Sequence, residues 1–173
     1  TSYDMEEDIP KFEKLGVKKI ISEPVFNSDL RKLLSDKKNK ARLKKDKNIF
    51  KGRKILIVED NEINIDIISD YLDDVEIKYD SVRNGLDAYN RIKQNHSYDC
   101  VLMDIKMPVM DGYEATRKIR ALDDEYVRKL PIIAMTANAF AEDVQLAKNT
   151  GMNGHIAKPL DMNKLNDVLE NWL

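Results

Sequence analysis

From residue 54 onward the apolar positions change period again and again. Residues 54–58 (Lys54-Ile55-Leu56-Ile57-Val58) form a short apolar, β-branched run, the pattern of a strand buried on both faces. Ile63, Ile67, Ile68 and Leu72 then recur at helical spacing around residues 64–72. Residues 75–82 (VEIKYDSV) alternate and predict a second strand, and residues 86–94 gather Leu86, Ala88, Tyr89 and Ile92 on one helical face. Further strands are predicted at 98–103, 132–136 and 155–157, with helices at about 113–122, 140–149 and 161–172. This alternation predicts an α/β fold: an open, doubly wound parallel sheet of five strands with helices on both faces and right-handed crossovers. Such sheets bind ligands beyond the carboxyl ends of their strands.

The residues at those ends carry chemistry. The first strand runs into Glu59 and Asp60, the third into Asp104, the fourth ends at Thr136, and the fifth runs into Lys158-Pro159. Each has a bland reading taken singly. Glu59, Asp60 and Asn61 can cap a helix, Asp104 can cap a turn, Thr136 suits a strand, and Lys158 can be a surface lysine. Together they bring three carboxylates, a hydroxyl and an ammonium to one edge. Clustered carboxylates repel unless a cation neutralises them. Oxygen-only ligands suit Mg²⁺. A carboxylate beside that ion can attack a phosphoryl group, whose oxygens then need cations and hydrogen-bond donors. Ala137 is small and leaves Asp104 approachable.

Composition narrows the class. The 173 residues are 42% hydrophobic and 35% charged, enough for a core and too apolar for a disordered chain. Cys100 is the single cysteine, which excludes an internal disulfide and a Cys₂ or Cys₄ zinc site. No apolar run approaches the roughly 20 residues of a membrane span, and no leader pattern is visible. The chain begins without Met and is expected to be an excised piece of a cytoplasmic protein whose parent can be membrane-anchored. Net charge is −2, yet residues 37–54 hold ten basic side chains against Asp46 alone. That block reads as a solvated linker ending near residue 53. A nucleic-acid arm is the sharper reading, but Phe50 is its one aromatic and no base-reading motif accompanies it. No nucleic-acid partner is therefore expected.

The runs Glu59-Asp60-Asn61-Glu62-Ile63-Asn64 and Met103-Asp104-Ile105-Lys106-Met107-Pro108-Val109-Met110-Asp111-Gly112 resemble receiver domains of two-component response regulators, those of hybrid sensor histidine kinases in particular. The resemblance covers residues 54–173 and implies a flavodoxin-like sheet of order 2-1-3-4-5. It implies that Asp104 is the phosphoacceptor. Mg²⁺ would be held by Asp60, Asp104, the backbone carbonyl of Lys106 and, through water, Glu59. Thr136 and Lys158 would bind the phosphoryl oxygens. Thr136 and His155, three residues before Lys158, would form the switch. The implied partners are a histidine kinase or a histidine phosphotransfer domain, with no direct membrane contact. A dimer could form through the helix at 140–149, the strand at 155–157 and the helix at 161–172. A stand-alone response regulator is the alternative. A Mg²⁺-dependent phosphatase with Asp104 as nucleophile is less well matched, because Lys106 stands where that chemistry needs a general acid. A pure interaction module is the third reading.

The N-terminal third echoes the C-terminal one. Gly16-Val17-Lys18-Lys19-Ile20-Ile21-Ser22-Glu23-Pro24 parallels Gly151-Met152-Asn153-Gly154-His155-Ile156-Ala157-Lys158-Pro159, and Leu30, Leu33 and Leu34 fall at the offsets of Leu165, Val168 and Leu169. Residues 1–36 are therefore expected to be the tail of a second, degenerate receiver-like domain. Glu23 replaces its lysine and would repel a phosphate. Residues 37–53 are the expected linker, and residues 54–173 the receiver.

Overall fold

The computed structural model of the chain describes residues 49–137 and 141–173. Within them the elements run β1 (Lys54–Val58), α1 (Glu62–Asp74), β2 (Lys78–Val82), α2 (Gly85–Gln94), β3 (Cys100–Asp104), α3 (Gly112–Arg120), α4 (Glu125–Lys129), β4 (Ile132–Thr136), α5 (Ala141–Thr150), β5 (Gly154–Ala157) and α6 (Met162–Trp172). Every strand pairing is parallel, and the sheet order is β2-β1-β3-β4-β5. This is the expected flavodoxin-like order. The reversal in strand order falls between β1 and β3, the point at whose carboxyl edge open parallel sheets bind their ligands.

The apolar runs explain the layering. Successive strand residues face opposite sides of the sheet. Ile55, Ile57, Leu102, Ile133 and Met135 pack with Ile68 and Leu72 of α1 and Leu165 and Leu169 of α6. Leu56, Val58, Val101, Met103, Ile132 and Ala134 pack with residues of α2, α3 and α5, among them Ala88, Ile119 and Ala147. Side-chain caps start the helices: Asn61, Asn84, Asp111, Asp124 and Asp161 each accept a backbone N–H of the first turn.

Glycine is required where helices approach the sheet edge. A Cβ on Gly112 would overlap the carbonyl oxygen of Asp104. One on Gly85 would lie 2.7 Å from both the Met110 carbonyl and the Ala115 Cβ. These contacts let α2 and α3 close against the end of β3.

Three features depart from the sequence-based expectation. β2 begins at Lys78, because Val75 and Glu76 belong to the end of α1. The Ile77 N–H bonds to the Leu72 carbonyl and the Glu76 N–H to the Asp73 carbonyl, with Glu76 at φ 61°. This is a helix closure that usually employs glycine. α4 was not expected, since five residues are too few to show a period. Asp124 caps it and Val127 is its buried anchor. The Arg120 guanidinium donates to the carbonyls of Val127, Leu130 and Gly151 and to the Asn153 side chain.

The third departure is at the linker. The packed unit starts before Lys54. Phe50 is fully buried in the cluster that holds Ile55, Ile57 and Leu72. The Arg53 N–H bonds to the Phe50 carbonyl, and the Arg53 guanidinium meets Asp99 at 2.8 Å. The basic block concealed a core residue. The remnant expected at residues 1–36, and the linker as far as residue 48, lie outside the described residues.

A chain starting at Ile49 should therefore unfold cooperatively. Phe50→Ala within it should lose about 3–5 kcal/mol, as for a large buried aromatic, measured by urea unfolding. An unchanged urea midpoint would contradict the placement of Phe50.

Candidate functional site

Parallel strands end on a common edge, so β1, β3, β4 and β5 deliver their last residues to one place. Glu59 and Asp60 follow β1, Asp104 ends β3 and Thr136 ends β4. Lys158 follows β5 and precedes a cis Pro159 peptide. Its backbone N–H bonds to the Thr136 carbonyl at 2.7 Å, which sets β5 in register with the end of β4.

Glu59, Asp60 and Asp104 each offer a carboxylate oxygen within 4.8 Å of the others. Glu59 is 1% exposed and Asp104 6%, while Asp60 is exposed. Lys158 lies between the two buried ones, its Nζ at 2.7 Å from Glu59 Oε2 and 2.9 Å from Asp104 Oδ2. Sequence reasoning placed these residues on one edge but did not foresee that the lysine would bridge the two buried carboxylates. Asp104 Oδ1 accepts the Ile105 N–H at 2.8 Å.

Burial pushes the Asp104 carboxyl above its usual range. The Lys158 hydrogen bond opposes that and the nearby Glu59 charge adds to it. Burial alone would pull the Lys158 ammonium down, but its hydrogen bonds to Glu59 and Asp104 hold it above the usual lysine range. The two shifts agree: one cation is shared by an excess of anions. Three carboxylates against one ammonium leave two negative charges uncompensated. A hard divalent cation with oxygen ligands fits that charge and that donor set.

Lys106 lies in the turn after β3 with its side chain exposed. No carboxylic acid therefore stands two residues beyond Asp104, as a phosphatase of this type would need. Further along the same turn, the Met110 N–H bonds to the Pro108 carbonyl at 2.7 Å. This tight turn puts Val109 at φ 69° and leaves its side chain 76% exposed. His155 lies in β5 opposite Ala134 and is exposed. Ala137, next to Thr136, is also exposed.

Two site residues escaped the sequence reading. Asn64 donates its Nδ2 to Glu59 Oε1 at 2.8 Å, and Gly112 makes room for the Asp104 backbone. Both stand inside the quoted motif runs, and that was the available signal. Residue type alone did not reveal what each touches.

A family signature described as "Response regulator receiver domain" matches residues 55–170. The hybrid signal transduction histidine kinase L of Dictyostelium discoideum is 39% identical over 122 residues, which is 69% of this chain and 7% of that protein. The sensor histidine kinase GacS of Pseudomonas protegens is 34% identical over 155 residues, 87% of this chain and 17% of that protein. The chain spans between 7% and 18% of the length of the curated relatives it matches. Among solved structures, the receiver domain of sensor histidine kinase PA1611 from Pseudomonas aeruginosa is 40% identical with a TM-score of 0.64. The match covers 70% of this chain and 97% of that one, which has a magnesium ion coordinated in its active-site cleft. The receiver domain of the response regulator Ssk1 of Saccharomyces cerevisiae, solved with the histidine phosphotransfer protein Ypd1, is 29% identical with a TM-score of 0.64 over 71% of this chain and 90% of that one. With sheet order, strand-end chemistry and family signature converging on the same stretch within residues 54–173, the chain belongs to the response regulator receiver family and is a phosphorelay receiver similar to those of hybrid histidine kinases.

Proposed function

We propose that Asp104 is the phosphoacceptor of this receiver. The carrying observation is the Lys158 ammonium, 2.9 Å from Asp104 Oδ2, which sets a cation beside the oxygen that would bond to phosphorus. As that bond forms, the P–N bond of a phosphohistidine breaks and its electron pair returns to the imidazole. Lys158 and the Thr136 hydroxyl hold the phosphoryl oxygens, and the Ile105 N–H keeps Asp104 oriented through Oδ1. Asp60, Asp104, the Lys106 carbonyl and Glu59 would hold Mg²⁺. That ion, when bound, neutralises the carboxylates and screens the phosphoryl charge.

The donor is a histidine kinase or a histidine phosphotransfer domain, a reading supported by the likeness to the Ssk1 receiver. The parent protein is a hybrid histidine kinase, supported by the kinases among the relatives. Among the described residues no helix is long and apolar enough to cross a membrane, and we place the domain in the cytoplasm. Similarity to the probable histidine kinase 1 of rice covers 82% of this chain, more than residues 49–173 can supply. The likeness to a kinase therefore continues upstream of the receiver, and the parallel of Gly16–Pro24 with Gly151–Pro159 supports reading residues 1–36 as the tail of another receiver-like domain. Output passes through Thr136 and His155: as the Thr136 hydroxyl turns to the phosphoryl group, the exposed His155 ring rotates inward. The surface of α5, β5 and α6 changes with it, for a partner or for a second copy.

Asp104→Asn should abolish the acid-stable, base-labile phosphate gained from acetyl phosphate with Mg²⁺, as read by intact mass. One phosphate retained by the variant would overturn the assignment.

The same residue makes a stability prediction. Because its folded-state carboxyl is raised, Asp104 supports folding most fully below its unfolded value of 3.8. That support is lost as pH rises through the raised value. At neutral pH without metal, Asp104→Asn should therefore melt a few degrees higher than the unaltered chain, and the difference should vanish in acid. A lower melting temperature at neutral pH would show that the Lys158 ion pair outweighs the burial cost.

For the switch, the ¹H–¹⁵N imidazole signals of His155 should move on adding beryllofluoride with Mg²⁺. Signals that stay put would leave His155 an ordinary exposed strand residue.

A further inference from the structure

In the run Glu59-Asp60-Asn61-Glu62-Ile63-Asn64, Asn61 caps α1 and Glu62 pairs with Arg83, while Asn64 turns back toward the strand end. Asn64 sits in the first turn of α1, three residues after the cap Asn61. A polar side chain at that position commonly reaches back to the backbone N–H of the cap. Asn64 instead donates Nδ2 to Glu59 Oε1 at 2.8 Å. The Asn61 N–H reaches the same oxygen at a longer 3.4 Å. The other oxygen, Oε2, accepts from Lys158 at 2.7 Å.

The two oxygens of Glu59 thus have different partners. Oε1 is tied to α1, while Oε2 meets the ammonium that also bonds Asp104. A glutamate carries one more rotatable bond than an aspartate, and fixing it costs side-chain entropy. At 1% exposure the carboxylate lies almost wholly out of solvent, so its direction is set by protein donors. Asn64 supplies the one short side-chain amide bond among them.

We propose that Asn64 is a positioning residue for divalent cation binding: it anchors Glu59 Oε1 to α1 and so presents Oε2 to the Asp60–Asp104 cluster. The inference rests on the Mg²⁺ reading given above. Partners that orient metal ligands typically matter about 10–100-fold in metal affinity.

The test is a Mg²⁺ titration of the full chain followed by ¹H–¹⁵N spectra. Asn64→Ala should weaken Mg²⁺ binding about tenfold, while alanine, a better helix former, leaves α1 intact. In a Glu59→Asp background the carboxylate is one methylene short of the amide, and adding Asn64→Ala should cost no more than about twofold. Separately, without metal, Glu59→Asp should shift the side-chain ¹⁵NH₂ signals of Asn64. Undiminished affinity in Asn64→Ala, an equal loss in both backgrounds, or unmoved Asn64 signals would each overturn the positioning role. Failure of the unaltered chain to bind Mg²⁺ at all would instead overturn the metal reading, and this proposal with it.

Discussion

The Lys158 ammonium, held between Glu59 and Asp104, is the interaction on which the carboxyl edge of this sheet depends. Two carboxylates buried side by side repel each other, and burial makes that repulsion costly unless a cation lies close by. The lysine supplies one positive charge for two anions, and Asp60 adds a third anion at the rim. The edge is therefore stable enough to fold and remains short of positive charge. That residual imbalance is what makes the site receptive to a divalent cation.

Much of the surrounding architecture serves to keep this arrangement rigid. The ends of β1, β3 and β4 are buried on both faces, so Glu59 and Asp104 emerge from a packed sheet. Gly112 lets α3 press on the backbone of Asp104. Lys158 is fixed through its own backbone to Thr136. Side chains held by packing and backbone bonds in this way lose little further entropy when a ligand arrives.

The fold was largely legible because β1, β3 and β4 are nearly continuous apolar runs, and the helices between them show a clean period. The site was legible because parallel strands carry their final residues to one edge, so Glu59, Asp60, Asp104, Thr136 and Lys158 could be placed from the strand ends alone. What escaped reading was whatever depends on a single contact. Phe50 lay in a dense basic run whose charge outweighed one aromatic. α4 is a five-residue helix secured by Arg120 and by its Asp124 cap, without periodicity. Asn64 looked like one more polar residue of a helix start until its partner Glu59 was seen. The Lys158 bridge needs side-chain geometry that no spacing rule supplies.

The sequence separation across that bridge carries a consequence for folding. Glu59 and Lys158 are 99 residues apart, and β5 follows the other four strands of this sheet in sequence and lies at one of its edges. Contacts so distant along the chain form late in folding, because a long loop must close before they are rewarded. Until β5 docks, Glu59 and Asp104 face each other without an ammonium and the edge is a source of repulsion. Docking of the final strand both relieves that repulsion and completes the site. A receiver cut short before β5 therefore has no intact site, and competence to accept a phosphoryl group reports that the sheet has folded out to its fifth strand.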